Sequence, residues 1–351
     1  MATLSEIASS CGVSKATVSR VLNNDPSFSV ADTTRELILH TASAMNYDIS
    51  TKRKKTPKKI SPSTDIAPLK IGILHFQLKS DPLTEDYDDY YHKLLFYITS
   101  ALKQAKNAPP MEFHYIITDS YEALDNLDGL LIIGKMAFNP NHPLIRKIKY
   151  KIIIDYTAPN NAIDSVYADF PLAVELAIQH FHSIDLFNIG YIGSYDYITQ
   201  FAQGQRIMQE DLRMIAFRNY CFQNGINPSE KMWIAREFTP EEGYRITTEL
   251  IQKDLLPEAL LYASDELTLG AYRAFQEHHI QIGKDISIIS IDDMPYSKFL
   301  NPPLTTVSLN IPTIGEAVSF AFLSQIEGRA YPLSIHSPIQ LILRESCKSL
   351  N

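Results

Sequence analysis

Apolar positions recur along the chain with two different periods, and the place where one gives way to the other divides it. In 4–10 and 14–23, Ile7, Ala8, Val13, Val18, Val21 and Leu22 fall where two short helices can bury one face together. Cys11-Gly12-Val13 separates them, and Gly12 suits the positive φ of a tight turn. Ser14 is placed to cap the second helix, its hydroxyl accepting a free backbone N–H of the first turn. Asn24-Asp25-Pro26-Ser27 is turn chemistry. A third helix is predicted from Ser29, with Ser29 and Asp32 as a capping box and a stripe of Leu37, Ile38, Ala42 and Met45. The result is a compact three-helix module, 1–49, whose second helix is polar and basic on its outer side.

From Lys70 onward, short apolar runs alternate with longer amphipathic ones. The runs 70–76, 112–117, 129–133, 151–155, 187–193, 259–263, 286–291 and 339–343 predict strands. The stretches 90–105, 171–182, 211–224, 241–253, 265–278 and 313–327 predict helices. That rhythm implies βαβ units and parallel sheets with helices on both faces. Residues 70–346 are too many for one comfortable sheet, so the expectation is two sheets in two lobes with a cleft between them.

Between these regions lies a basic linker, 50–69. Lys52-Arg53-Lys54-Lys55-Thr56-Pro57-Lys58-Lys59 holds six basic residues in eight, and Pro57, Pro62 and Pro68 break any regular pattern. The overall charge of −8 hides an asymmetry. Residues 1–59 carry nine lysines and arginines against five acids, a net +4, and the remainder carries 23 against 35, a net −12. A small basic module on an acidic body limits non-specific adhesion and aims one positive face at phosphate.

Composition narrows the function classes. The hydrophobic fraction of 45% and charged fraction of 21% are those of a globular protein with a real core. No apolar run is long enough to cross a bilayer, and 1–10 has no export signal, so no membrane partner is expected. Cys11, Cys221 and Cys347 lie far apart and match no zinc or redox spacing, which suits a reducing cytoplasm. There is no phosphate-loop or dinucleotide glycine motif, no metal-spaced histidine pair and no nucleophile elbow, so neither an enzyme nor a resident cofactor is expected.

The stretch that carries function is Thr3 to Asn23. A recognition helix must enter a major groove about 12 Å wide and present its first turns to base edges. Lys15, Ala16 and Arg20 lie on successive turns, outward of Val18 and Val21. Arg20 can bridge the O6 and N7 of a guanine, Ala16 can touch a thymine methyl, and Thr17 and Ser19 offer hydroxyls to phosphate.

Here the sequence resembles the lactose-repressor/galactose-repressor (LacI/GalR) family of regulators. The Gly-Val-Ser-x-x-Thr-Val-Ser-Arg-Val-Leu-Asn signature stands unbroken from Gly12 to Asn23. The resemblance implies that Lys15 and Ala16 vary with operator sequence and that Arg20 is the constant base contact. The expected DNA-binding set is Thr3, Leu4, Ser5, Ser14, Lys15, Ala16, Thr17, Ser19, Arg20 and Asn23, with Lys52 and Arg53 from the linker. It further implies a homodimer reading a near-palindromic double-stranded operator, one half-site per headpiece. The family's hinge usually carries a leucine that wedges into the minor groove. Residues 50–59 contain none, leaving Ile60 or lysine–phosphate contacts in that role.

The resemblance extends over the larger region. It implies a fold similar to periplasmic sugar-binding proteins, with three crossovers joining an N-lobe of about 70–158 plus 293–322 to a C-lobe of about 159–292 plus 323–346. Tyr262-Ala263-Ser264-Asp265 looks like the segment that closes on the effector, with Ser264 where many members have asparagine. Ile291-Asp292-Asp293 and 302–307 look like its crossover region. Asp211 to Phe217 and Asp89-Tyr90-Tyr91 look closest to the galactoside-responsive members. Carried over by position, Arg213 is the effector clamp, Asp155 and Asp292 take sugar hydroxyls, Tyr90 and Ser264 join them, and Phe238 supplies a flat ring, with Trp233 behind it.

The expected function is a transcription regulator of sugar-utilisation genes, by default a repressor released by galactose or a galactoside. A phosphorylated sugar or nucleobase effector is the alternative. A non-regulatory cytoplasmic sugar-binding protein is a further one, although a sugar receptor would share the two-lobed body and lack residues 1–59. No heptad-bearing tail follows the last strand, so coiled-coil tetramers are not expected.

Overall fold

The computed structural model describes residues 3–22, 30–45, 67–75, 89–157 and 162–348. The chain divides into two compact units, Met1–Asp65 and Ile66–Asn351.

In the first unit, α1 (Leu4–Cys11), α2 (Lys15–Leu22) and α3 (Asp32–Ala44) enclose a core of Ile7, Ala8, Val18, Val21, Ile38 and Ala42. Two caps fix where the first two helices begin. The Thr3 hydroxyl accepts from Glu6 N–H while the Glu6 carboxylate accepts from Thr3 N–H at 2.7 Å, closing a capping box that the sequence reading passed over. Ser14 accepts from Thr17 N–H at 3.1 Å, as its position implies. Between them Gly12, at φ 64°, ends α1 in the left-handed region. The third helix departs from expectation. Ile38 and Ala42 are buried one turn apart, but Leu37 and Met45 are exposed. A helix turns 100° per residue, so Leu37 cannot share the Ile38 face in so small a core. The cap expected at Ser29 lies outside the described residues.

The second unit holds β1 (Leu69–His75), α4 (Asp89–Gln104), β2 (Met111–Ile116), β3 (Gly129–Ile133), β4 (Met136–Ala137), α5 (Pro143–Lys147), β5 (Tyr150–Ile154), β6 (Asp164–Ala168) and α6 (Phe170–Ser183). There follow β7 (Ile189–Ser194), β8 (Asp196–Gln200), β9 (Gln205–Gln209), α7 (Leu212–Gln223), β10 (Met232–Ala235), α8 (Pro240–Gln252), β11 (Ala259–Tyr262) and α9 (Asp265–Glu277). The chain closes with β12 (Ser287–Asp292), β13 (Thr305–Ser308), α10 (Ile311–Ile326), β14 (Ser334–Ser337) and β15 (Gln340–Ile342).

These form two six-stranded sheets, in the orders β14-β6-β5-β3-β1-β2 and β10-β7-β11-β12-β13-β15. Within these two sheets all pairs are parallel except β13 with β15, while β4, β8 and β9 form a separate three-stranded sheet in which β8 and β9 are antiparallel. Burial from both faces explains why β3 and β7 are almost wholly apolar or glycine. Helices α4 and α10 cover one face of the first sheet, α6 and α7 one face of the second, and α8 and α9 its other. Helices α8 and α9 cross backbone to backbone. A Cβ on Gly243 would lie 1.9 Å from Leu267 O, and one on Gly270 1.7 Å from Pro240 O. Only glycine fits either place.

The sheet pairing corrects the expected lobe boundaries. Strand β6, at 164–168, belongs to the first sheet, not to the C-lobe, and so does β14, at 334–337. Strand β13, at 305–308, belongs to the second sheet rather than the N-lobe. The chain therefore crosses between lobes at Ala168–Phe170, Ser308–Ile311 and Ser337–Gln340, not at Asp292-Asp293. These joins were hard to read because β14 is a sheet edge. Its Ser-Ile-His-Ser pattern buries little and resembles a loop.

Candidate functional site

On the first unit, α2 presents Lys15, Ala16 and Arg20 to solvent, with Val18 and Val21 turned into the core. Ser5 and Ser14 are exposed, and Ser19 is half-buried. Other expected contacts carry structural duties as well. The Thr17 hydroxyl meets that of Ser14 at 2.8 Å, Leu4 leans on the core, and Thr3 is occupied in its capping box. Asn23, Lys52 and Arg53 lie outside the described residues, as does Ile60.

In the second unit the chemistry gathers at the carboxyl ends of parallel strands, the end at which open α/β sheets bind ligands. His75 ends β1, Lys135 follows β3, Asp155 follows β5, Ser194 ends β7, Ser264 follows β11 and Asp292 ends β12. Asp155 and Asp292 both have positive φ, 62° and 122°, so the backbone bends as each strand gives out.

Asp155 is buried, and its two oxygens accept from the hydroxyls of Tyr90 and Tyr91, each at 3.0 Å. Tyr90, in the first turn of α4, packs against the cores of both lobes. Burial pushes the Asp155 carboxyl above the usual carboxylate range, with Lys135, the two tyrosines and Arg213 pulling the other way. Burial, followed by the charges of Asp155 and Asp292, also holds the Tyr90 phenol well up. Tyr90, Asp155, Arg213 and Asp292 thus sense one another electrostatically across the lobes.

Arg213 is held tightly. Its Nε and one terminal nitrogen donate to the two oxygens of Asp211 at 2.8 and 2.9 Å, and the other terminal nitrogen donates to Ala263 O at 2.7 Å. The guanidinium carbon lies over the rings of Phe170 and Phe238, 4.6 and 4.7 Å from their centroids. Those bonds use three of the five N–H of a guanidinium. Burial alone would raise the Asp211 carboxyl, but Arg213 and Lys135 hold it below the usual range. Lys135 is itself buried, paired with Asp196 and 3.9 Å from Asp211.

Tyr90, Asp155, Arg213 and Phe238 converge here as the sequence implied. Three expectations change. Phe238 covers the arginine rather than an open face, because a buried guanidinium needs apolar cover as much as a sugar ring does. The Ser264 hydroxyl caps α9, accepting from Leu267 N–H at 3.4 Å. Trp233 packs on β10, where a Cβ at Gly190 would meet its ring, among residues of the α8 side. Lys135, Tyr91, Phe170, Asp196 and Asp211 were missed. Lys135 and Phe170 could have been found as residues two positions beyond strand ends. Among the described residues no group of His, Cys, Asp or Glu could hold a metal ion, and no helix is long and apolar enough to cross a membrane.

His75 gives this end of β1 a pH dependence. It is buried edge-on to Tyr91, with ring centroids 4.8 Å apart, and burial drives its pKa down to about 3. The unfolded chain takes up this proton near pH 6.5, so the contribution to stability is complete above that and is lost as pH falls toward 3. The loss approaches ~1.4 kcal/mol per pH unit in that window. His75→Gln is expected to flatten the fall in urea midpoint between about pH 6.5 and about pH 5; parallel curves for parent and variant would refute it.

A model of bacterial regulatory proteins of the lacI family matches residues 3–49, and a periplasmic binding protein-like domain matches residues 178–347. The HTH-type transcriptional repressor MelR of Bacillus subtilis (strain 168) is 29% identical over 356 residues, covering 99% of this chain and 98% of that protein. The lactose operon repressor of Rhizobium radiobacter is 33% identical over 108 residues, 31% of this chain and 96% of that protein. The solved lac repressor dimer bound to operator and the anti-inducer ONPF superimposes with a TM-score of 0.63 at 20% identity, covering 99% of both chains.

Proposed function

The chain belongs to the lacI family of bacterial regulatory proteins, and from that premise we propose how its two sites divide the work. It is a DNA-binding transcription regulator of sugar-related genes. Lys15, Ala16 and Arg20 read an operator half-site in the major groove, and a homodimer reads both halves of a near-palindrome. The effector is a sugar, galactose or a galactoside, held between the strand ends by Asp155, Arg213 and Asp292. Its binding releases the operator.

The observation that carries the effector reading is the charge balance around Arg213. Asp155, Asp196, Asp211 and Asp292 gather about Lys135 and Arg213, and these two cations already pair with Asp196 and Asp211. Four carboxylates against two satisfied cations repel a phosphorylated sugar. They suit a neutral polyol, whose vicinal hydroxyls both donate to and accept from such groups. The likeness to a lactose operon repressor points within that class to a galactoside.

A ligand that binds only the folded state stabilises it by ~2.7 kcal/mol at a hundredfold excess over Kd. Galactose or lactose is therefore expected to raise the melting midpoint of the purified chain, whereas galactose 6-phosphate and adenine should not. A shift with the phosphorylated sugar or the nucleobase alone would overturn the effector assignment and leave the DNA-binding assignment standing.

A further inference from the structure

The hairpin formed by β8 and β9 leaves the second lobe after β7 and returns to it at α7, yet its tip is built into the first lobe. Strand β8 pairs with β4, aligning Met136 with Thr199 and Ala137 with Gln200. Thr199 N–H donates to Lys135 O at 3.0 Å and Phe201 N–H to Ala137 O at 2.9 Å. Phe201, 1% exposed, is sunk among Leu74, Leu124, Ile132, Met136 and Ile145 of the first lobe, edge-on to Tyr121 at 5.0 Å. Beyond it, the Asp119 carboxylate accepts from the backbone N–H groups of Ala202 and Gly204, the latter at 2.8 Å.

The roots of the hairpin are tied to the same lobe. Asp196 at its start pairs with Lys135, and Asp211, just past its end, approaches Lys135 at 3.9 Å. Asp211 is also the residue that aims Arg213. Three covalent crossings join the lobes at one side, and this hairpin adds a non-covalent link carried by main-chain bonds, a buried ring and an ion pair. Lobes that part must either peel Phe201 from its socket or bend the short joints at Tyr195 and Glu210.

We propose that residues 196–209 are a strap that holds the two lobes together without any ligand, with Asp119 and Lys135 as its positioning residues. The strap presets the angle at which a ligand meets the cleft. It also couples that angle to Arg213, because Asp211, which holds the guanidinium, follows two residues after the strap. None of this depends on which sugar the cleft takes.

The test measures the lobe separation directly. Nitroxides are attached through genetically encoded ketone residues at Arg146 in the first lobe and Lys253 in the second, both exposed. The full chain is diluted with unlabelled protein, and the distance distribution is read by double electron–electron resonance without sugar or DNA. Asp119→Ala unpins the hairpin tip far from Arg213, and Asp196→Asn breaks the pair at its root. The parent is expected to give one narrow distribution. Both variants should broaden it and move it to longer distances, with Asp119→Asn, which keeps one acceptor, in between. Variant distributions that superimpose on the parent's would overturn the strap. Should D119A fail to fold, D196N carries the same decision.

Discussion

Arg213→Ala is expected to destabilise the second unit by ~3–5 kcal/mol and to abolish the response to sugar. The size follows from what is left behind. Asp211 is 1% exposed, and its carboxylate stays ionised because Arg213 meets both oxygens and Lys135 stands nearby. Without the guanidinium, a buried charge loses its main partner, Ala263 O loses a donor, and the rings of Phe170 and Phe238 lose the group they pack on. Because Asp211 sits below the usual carboxylate range, the pair contributes above the unfolded pKa and fades as pH falls through the folded one. The deficit of the variant should therefore be full at neutral pH and shrink in acid. Arg213→Lys keeps the charge but not the two-pronged geometry, so it should recover part of the stability and little of the sugar response. Urea unfolding of the three proteins across pH, with melting shifts in galactose, reads both effects. A variant as stable as the parent would show that the pair is not what holds this end of α7.

Arg20→Ala is expected to cost ~1–3 kcal/mol of discrimination between operator and random DNA, one to two orders of magnitude in relative affinity. Arg20 is exposed on α2, outward of the buried Val18 and Val21, so its loss should leave the three-helix core intact. A base contact differs from a phosphate contact in its salt behaviour. Removing a phosphate contact lowers the slope of log affinity against log salt by nearly one, whereas removing a base contact leaves the slope unchanged. Binding to random DNA and the melting shift in sugar should therefore match the parent's. A variant that weakens equally on every DNA, with a reduced salt slope, would make Arg20 a phosphate clamp.

The elements legible in the sequence were those whose pattern survives burial. Strand β3 is sealed on both faces and reads as an unbroken apolar run, β5 and β7 nearly so, and the spacing of Ile7, Ala8, Val18 and Val21 marked the first two helices. What escaped was structure held by partners rather than pattern. Strands β8 and β9 are almost entirely polar or exposed, with Phe201 the only residue near the turn that reaches a core. Strand β14 is an edge, so its alternation is muted. In the cleft, Asp155, Arg213, Asp292 and Tyr90 were found by position, but the residues that complete them were not. Lys135 is remote from Asp196 and Asp211 in sequence, and only folding brings the three together. Ser264 and Phe238 show the converse. Each has a local duty that the sequence did not disclose, Ser264 as the cap of α9 and Phe238 as cover for Arg213.

The most direct measurement is operator affinity of the full chain, by fluorescence anisotropy at one fixed salt concentration, with and without sugar. The DNA is taken from upstream of its own gene, and galactose, lactose, raffinose, sucrose and glucose are titrated in turn. Galactose or a galactoside is expected to weaken binding at least tenfold, about 1.4 kcal/mol of coupling between the two sites. Tight operator binding that no sugar alters would contradict it, for the cleft around Arg213 would then have no hold on the DNA-reading helices.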